Sequence, residues 1–179
     1  MRWIRAAYPG AELYGCDVQQ HGMAFCGEEF GSKSLAPANF PADMTSDVQF
    51  DLIWIGSLFT HLTRREFDRF LLSLPRLLTA GGIVIFTTHG TGAWTRVNEG
   101  DTFHLKTNDL PAMRREHFET GITYAPYKRT PDYGVSFSTQ AYVTQKIAET
   151  GSLVIRDFKE TTWGGLQDIF ICQMAAGSP

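Results

Sequence analysis

The stretch from Phe50 to Phe86 constrains the fold more than any other part of the chain. Phe50-Asp51-Leu52-Ile53-Trp54-Ile55 is a near-continuous apolar run, as expected of a strand buried on both faces. Gly56-Ser57-Leu58-Phe59-Thr60-His61 leaves it with small and polar side chains. Thr63-Arg64-Arg65-Glu66 then has the form of a capping box, a hydroxyl for the third amide and a glutamate to reach back. Phe67, Phe70, Leu71, Leu74 and Leu78 follow as one helical stripe. Gly81 suits the left-handed residue after a helix, and Ile83 to Thr87 reads as the next buried strand. Pro75 conflicts with an unbroken helix, because it removes a hydrogen bond and predicts a kink near Leu71.

The flanking segments continue the alternation. Residues 2–8 read as a helix ended by Pro9-Gly10, and residues 11–17 as a short strand ending at Asp17. Residues 19–30 form a helical pattern weakened by Gly27. Ser34-Leu35-Ala36 is a candidate strand, and Pro37 and Pro41 impose a loop after it. From Gly90 to Phe137 the periodicity loosens, with a candidate helix over 108–119, Asn108 as its cap and Pro111 in its first turn. Tyr124, Tyr127 and Tyr133 lie there among prolines, and a segment of this kind is expected to be a lid or pocket insertion. Residues 138–150 predict a helix with Tyr142, Val143 and Ile147 inward and Gly151 as its stop. Two strands, 153–159 and 168–174, close the chain as an antiparallel pair. The order implies one α/β domain over 1–179, a mostly parallel Rossmann-like sheet with an antiparallel C-terminal hairpin. In such sheets ligands bind at the carboxyl ends of the strands.

Composition excludes several function classes. A net charge of -3 with no basic stripe argues against a nucleic-acid partner. Arg64-Arg65 and Arg114-Arg115 read as solvated helix faces. No apolar run approaches the roughly 20 residues that span a bilayer. Cys16, Cys26 and Cys172 lack metal-ligand spacing, and Cys16 and Cys172 are expected to be small buried hydrophobes in strands. An odd cysteine count without a secretory signal points to a reducing, cytoplasmic setting. Nothing in the sequence selects an oligomeric state.

Asp51-Leu52-Ile53-Trp54, the Ser57 to Leu62 exit, the capped helix and Gly81-Gly82 before an apolar strand resemble the second half of a class I S-adenosylmethionine-dependent methyltransferase. The resemblance runs from that fold's second strand through its fifth and includes its last hairpin. It implies S-adenosylmethionine as cofactor. Asp17 would accept both ribose hydroxyls, with Val18 against the ribose or adenine. Asn39 would read the adenine amino group and Phe40 would cover the ring, although the family usually carries Asp at the first of these positions. Gly56, Ser57 and Leu58 would meet the methionine end, with Ser57 bonding its amino or carboxylate group or the acceptor. His61 is either a general base or only the start of the next helix. His89 either faces the acceptor or is a structural histidine.

The family's Gly-x-Gly-x-Gly loop does not occur in these 179 residues. The chain opens in what resembles the helix after that loop, so the expectation is a partial catalytic domain that alone binds the cofactor poorly. The expected reaction is methyl transfer to a small-molecule, sugar or lipid-linked acceptor. Two alternatives stand beside it: a Rossmann-like binding or scaffold protein that kept the sheet and lost the loop, and a nicotinamide-dependent oxidoreductase, which Asp17 would serve equally well.

Overall fold

The computed structural model describes residues 1–36 and 41–175, the side chains at 131 and 132 excepted. Two compact units divide them, Met1–Asp47 and Val48–Pro179. In the first, helix α1 (Arg2–Ala7) leads to strand β1 (Tyr14–Gly15), helix α2 (Gln20–Phe30) and strand β2 (Lys33–Ser34). β1 and β2 pair in parallel. The predicted strand over 11–17 contracts to two residues, because β2 offers a partner only over Lys33–Ser34. α2 passes through Gly27 and stops at Gly31 in the left-handed conformation. Arg5 fastens this unit by donating Nε and Nη2 to the Phe30 carbonyl and Nη1 to those of Pro9 and Ala11. Cys16 is exposed, against the expectation of burial, because it lies just past the short strand; Cys172 is buried as expected.

The second unit is built on a four-stranded sheet ordered β3-β4-β8-β7. Strands β3 (Phe50–Ile55) and β4 (Leu78–Thr88) are parallel, and β8 (Gln167–Met174) runs antiparallel to both β4 and β7 (Leu153–Trp163). Parallel ladders in both units and an antiparallel C-terminal hairpin fulfil the expected α/β class.

Helix α3 (Arg64–Ser73) begins with the predicted capping box. The Thr63 side chain accepts the Glu66 N–H, and Glu66 reaches back to the Thr63 amide at 3.0 Å. The helix ends earlier than its apolar stripe suggests. Pro75 cannot supply a helical N–H, and the chain tightens into a 3-10 turn over Leu74–Leu77. Gly81 therefore does not follow a helix. Its φ of +76° serves an irregularity inside β4, where the register against β3 jumps from Phe50↔Leu78 to Leu52↔Ile83.

β3 is buried on one face only, contrary to the reading of its apolar run. Leu52 and Trp54 are 42% and 40% exposed, whereas Ile55 is buried. Alternation persists along β8, where Asp168, Phe170, Cys172 and Met174 are buried and the intervening residues half-buried. The buried face joins Phe59, Phe67, Phe70, Phe86 and Phe170 into one aromatic core. Each such ring contributes about 1.5–3 kcal/mol by leaving water. Helix α6 (Gln140–Glu149) buries Tyr142, Val143 and Ile147, as its periodicity predicts.

The segment that reads as loose in sequence is ordered. Helices α4 (Thr91–Asn98) and α5 (Leu110–Thr120) and the hairpin of β5 (Ile122–Tyr127) and β6 (Thr130–Ser138) enclose a second small core. Val97, Met113, Val135 and Phe137 are buried in it. Asn108 does not cap α5. A 3-10 turn over Thr107–Asp109 precedes the helix, whose first turn holds Pro111.

Candidate active site

The carboxyl ends of β3 and β4 carry a linked polar cluster. Ser57 follows β3 with a φ of 57°, a left-handed conformation that a non-glycine residue adopts only when its surroundings hold it there. Its N–H donates to Thr87 Oγ1 at 2.8 Å, and the Thr87 hydroxyl donates to Gln167 Oε1 at 2.6 Å. Gln167 Nε2 donates to Ser57 Oγ at 3.0 Å, and Ser57 Oγ lies 3.2 Å from Oε1. Thr60 Oγ1 closes the turn on the Ser57 carbonyl. Gly56 leaves room for the Trp54 indole, whose Nε1 would lie 3.0 Å from a Cβ there. Trp54 in turn meets Trp163 with ring centres 4.9 Å apart, and Leu58 is partly exposed.

His61 ends a 3-10 turn over Phe59–His61. Its Nδ1 lies 2.7 Å from the Gly134 carbonyl. A carbonyl oxygen only accepts, so the proton of the neutral ring sits on Nδ1 and the lone pair on Nε2. The imidazole stacks on Tyr133, with centres 4.5 Å apart and planes 24° apart, and lies 6.1 Å from the Tyr127 ring. Ser136 Oγ donates to the Phe59 carbonyl at 2.8 Å. The β5–β6 hairpin is thus stitched to the exit of β3, and three rings gather at the join. Tyr127 also lines a surface depression of about 670 Å³ with Thr102, His104, Leu105 and Arg129.

His89 is a buried ring, 6% exposed, between Phe103 and Phe137. Burial pushes its pKa down to about 4; the nearby His61 adds to this, and a backbone hydrogen bond with Ser136 opposes it. Its Nδ1 has no hydrogen-bond partner among the described residues. Asp168, beside Gln167, is 1% exposed and accepts the Thr161 N–H at 2.8 Å. Burial raises its pKa, and the Thr161 bond opposes the rise.

In the first unit, Asp17 lies on the surface just past β1, where its Oδ1 accepts the Gln19 N–H at 2.8 Å. Its Oδ2 remains as an acceptor, and Val18 is 78% exposed. Asn39 and Phe40 lie outside the described residues. Among the described residues no cluster of His, Cys, Asp or Glu could hold a metal ion, and no helix is long and apolar enough to cross a membrane.

Sequence reasoning brought Gly56, Ser57, Leu58 and His61 together but missed Gln167 and the two tyrosines facing His61. Gln167 is 110 residues from Ser57, and its place at the head of a strand carries no local signal. The tyrosines stood out only as a Tyr/Pro-rich tract.

Residues 1–86 match a family described as a methyltransferase domain. No curated protein sequence matches the chain. Among solved structures, an S-adenosylmethionine-dependent methyltransferase from Methanosarcina mazei is 15% identical, with a TM-score of 0.64 over 97% of this chain and 87% of that one. The N-methyltransferase NodS of Bradyrhizobium japonicum, in complex with S-adenosylhomocysteine, is 11% identical, with a TM-score of 0.53 over 91% and 66%. The 1,6-didemethyltoxoflavin N1-methyltransferase of Burkholderia thailandensis, with its substrate and S-adenosylhomocysteine bound, is 10% identical, with a TM-score of 0.61 over 93% and 62%.

Proposed function

We propose that this chain, an S-adenosylmethionine-dependent methyltransferase by its domain over residues 1–86 and by its fold, methylates a small-molecule, sugar or lipid-linked acceptor held beside His61. The observation that carries this reading is the join of the β5–β6 hairpin to the exit of β3, where His61, Tyr127 and Tyr133 form an aromatic wall. Residues 91–137 act as the acceptor-pocket insertion of a single domain.

Asp17 would offer its free carboxylate oxygen to the ribose hydroxyls of S-adenosylmethionine, Val18 would cover the sugar or base, and Asn39 and Phe40, which lie outside the described residues, would serve the adenine. Ser57 supplies a hydroxyl for the methionine part, with Gly56 and Leu58 as its neighbours. Bound S-adenosylmethionine supplies a methyl group on a sulfonium that is already a good electrophile. The protein's work is mostly positioning. Where the acceptor must lose a proton, His61 takes it at Nε2, the atom that the Gly134 carbonyl leaves free.

The test uses the protein carrying this sequence, labelled S-adenosylmethionine, and panels of phenols, amines, sugars and lipid-linked precursors. The expected result is transfer to one panel, with a 100- to 10,000-fold loss of kcat in His61→Ala on an acceptor that needs deprotonation, the order of magnitude for a lost general base. A folded protein without affinity for the cofactor would count against methyl transfer by the protein tested, an outcome that the scaffold reading and a partial catalytic domain share. Activity retained by His61→Ala would leave His61 as a wall of the pocket.

A further inference from the structure

We propose that Gln167 is the positioning residue of this site: from the start of β8 it holds the Ser57 hydroxyl and the backbone leaving β3 in one geometry for methyl transfer. The inference rests on Ser57 belonging to the cofactor or acceptor site.

Hydrogen-bond accounting carries it. The Thr87 hydroxyl accepts the Ser57 N–H, so its own proton needs another acceptor. That acceptor is Gln167 Oε1 at 2.6 Å. The contact fixes which way round the carboxamide lies, because its NH2 group cannot accept. Nε2 then faces Ser57 Oγ at 3.0 Å and donates to it. One side chain thus braces both ends of the residue: the amide through Thr87, the hydroxyl directly. Ser57 stays at a φ of 57° within this brace. The start of β8 is itself fixed, since the neighbouring Asp168 is buried and bonded to the Thr161 amide. The second Nε2 proton of Gln167, which is half-buried, has no partner among the described residues. It leaves a donor beside the Ser57 hydroxyl for a carboxylate or hydroxyl oxygen of the ligand.

Three variants test this: Gln167→Ala removes the brace, Gln167→Glu keeps the acceptors and loses the donor to Ser57, and Thr87→Ser keeps the hydroxyl relay. Amide hydrogen exchange at Ser57 and steady-state kinetics are both read, with the thermal midpoint as a check on folding. Gln167→Ala should speed exchange at Ser57 about ten-fold, the effect of one lost hydrogen bond. It should lower kcat on the order of 100-fold, as expected when reacting groups are misplaced. Gln167→Glu should lower kcat with exchange near wild type, and Thr87→Ser, which keeps the hydroxyl, should perturb both less than Gln167→Ala does. Unchanged exchange at Ser57 in Gln167→Ala, or a kcat loss no larger than the unfolded fraction, overturns the inference. An active wild type with an equally active Gln167→Ala removes only the role of Gln167. A folded wild type that transfers no methyl group removes the proposed function, and the catalytic part of this inference with it.

Discussion

Replacing His89 should change how the protein responds to acid. The ring is 6% exposed between Phe103 and Phe137, and its pKa falls from 6.5 to about 4. A histidine with a depressed folded value binds fewer protons folded than unfolded. Its stabilising effect is complete above the unfolded value and is lost as pH falls from 6.5 towards 4. At about 1.4 kcal/mol per pH unit, the whole window is worth about 3 kcal/mol. Little is lost to solvent screening because the ring is buried. His61 is the titratable neighbour, and its charge acts in the same direction. Urea unfolding at about pH 7 and about pH 4.5 should show the wild type losing roughly 2.5 kcal/mol more than His89→Gln, which cannot take up a proton there. The baseline stability of the variant does not enter, because only the pH dependence is compared. Equal losses would show that His89 is accessible enough to be protonated in the folded state, and the account of burial between Phe103 and Phe137 as the cause of its low pKa would fail.

Two further substitutions test local physics. Thr63→Ala removes the side-chain half of the capping box on α3 and should cost about 1 kcal/mol in denaturant unfolding; no loss would mean that water replaces the cap. Gly90→Ala builds a Cβ 1.7 Å from Asp168 Oδ2, a clash only backbone or carboxylate movement can relieve. The expected loss is about 1–3 kcal/mol, and a neutral result would show that the β4 exit gives way freely.

Local chemistry in the sequence specified parts of several helices. The capping box at Thr63, the buried face of α6 and the glycine stop at Gly151 follow from neighbouring residues alone, and the structure carries each of them. The alternating α/β order was legible for the same reason, since apolar period and turn residues repeat within each element. Pro75 announced a disturbance in α3, but its outcome, a 3-10 turn and a left-handed Gly81 inside β4, depended on the register against β3. The one-sided burial of β3 was hidden, because Leu52 and Trp54 are apolar whether or not anything covers them.

The candidate site divides along the same line. Gly56 to His61 was visible as a polar exit from a strand, because those residues are consecutive. The atoms that hold Ser57 and His61 come from Gln167 and Gly134, 110 and 73 residues away, and no periodicity links them. The sequence by itself determined the capped helix α3, helix α6 and the strands beside them, through contacts between residues a turn or a pleat apart, whereas α4, β5 and β6 carried no such local pattern. Only tertiary structure decided which proton His61 carries and what fixes the Ser57 backbone, because hydrogen bonds between strand ends exist only once the sheet has brought those ends together.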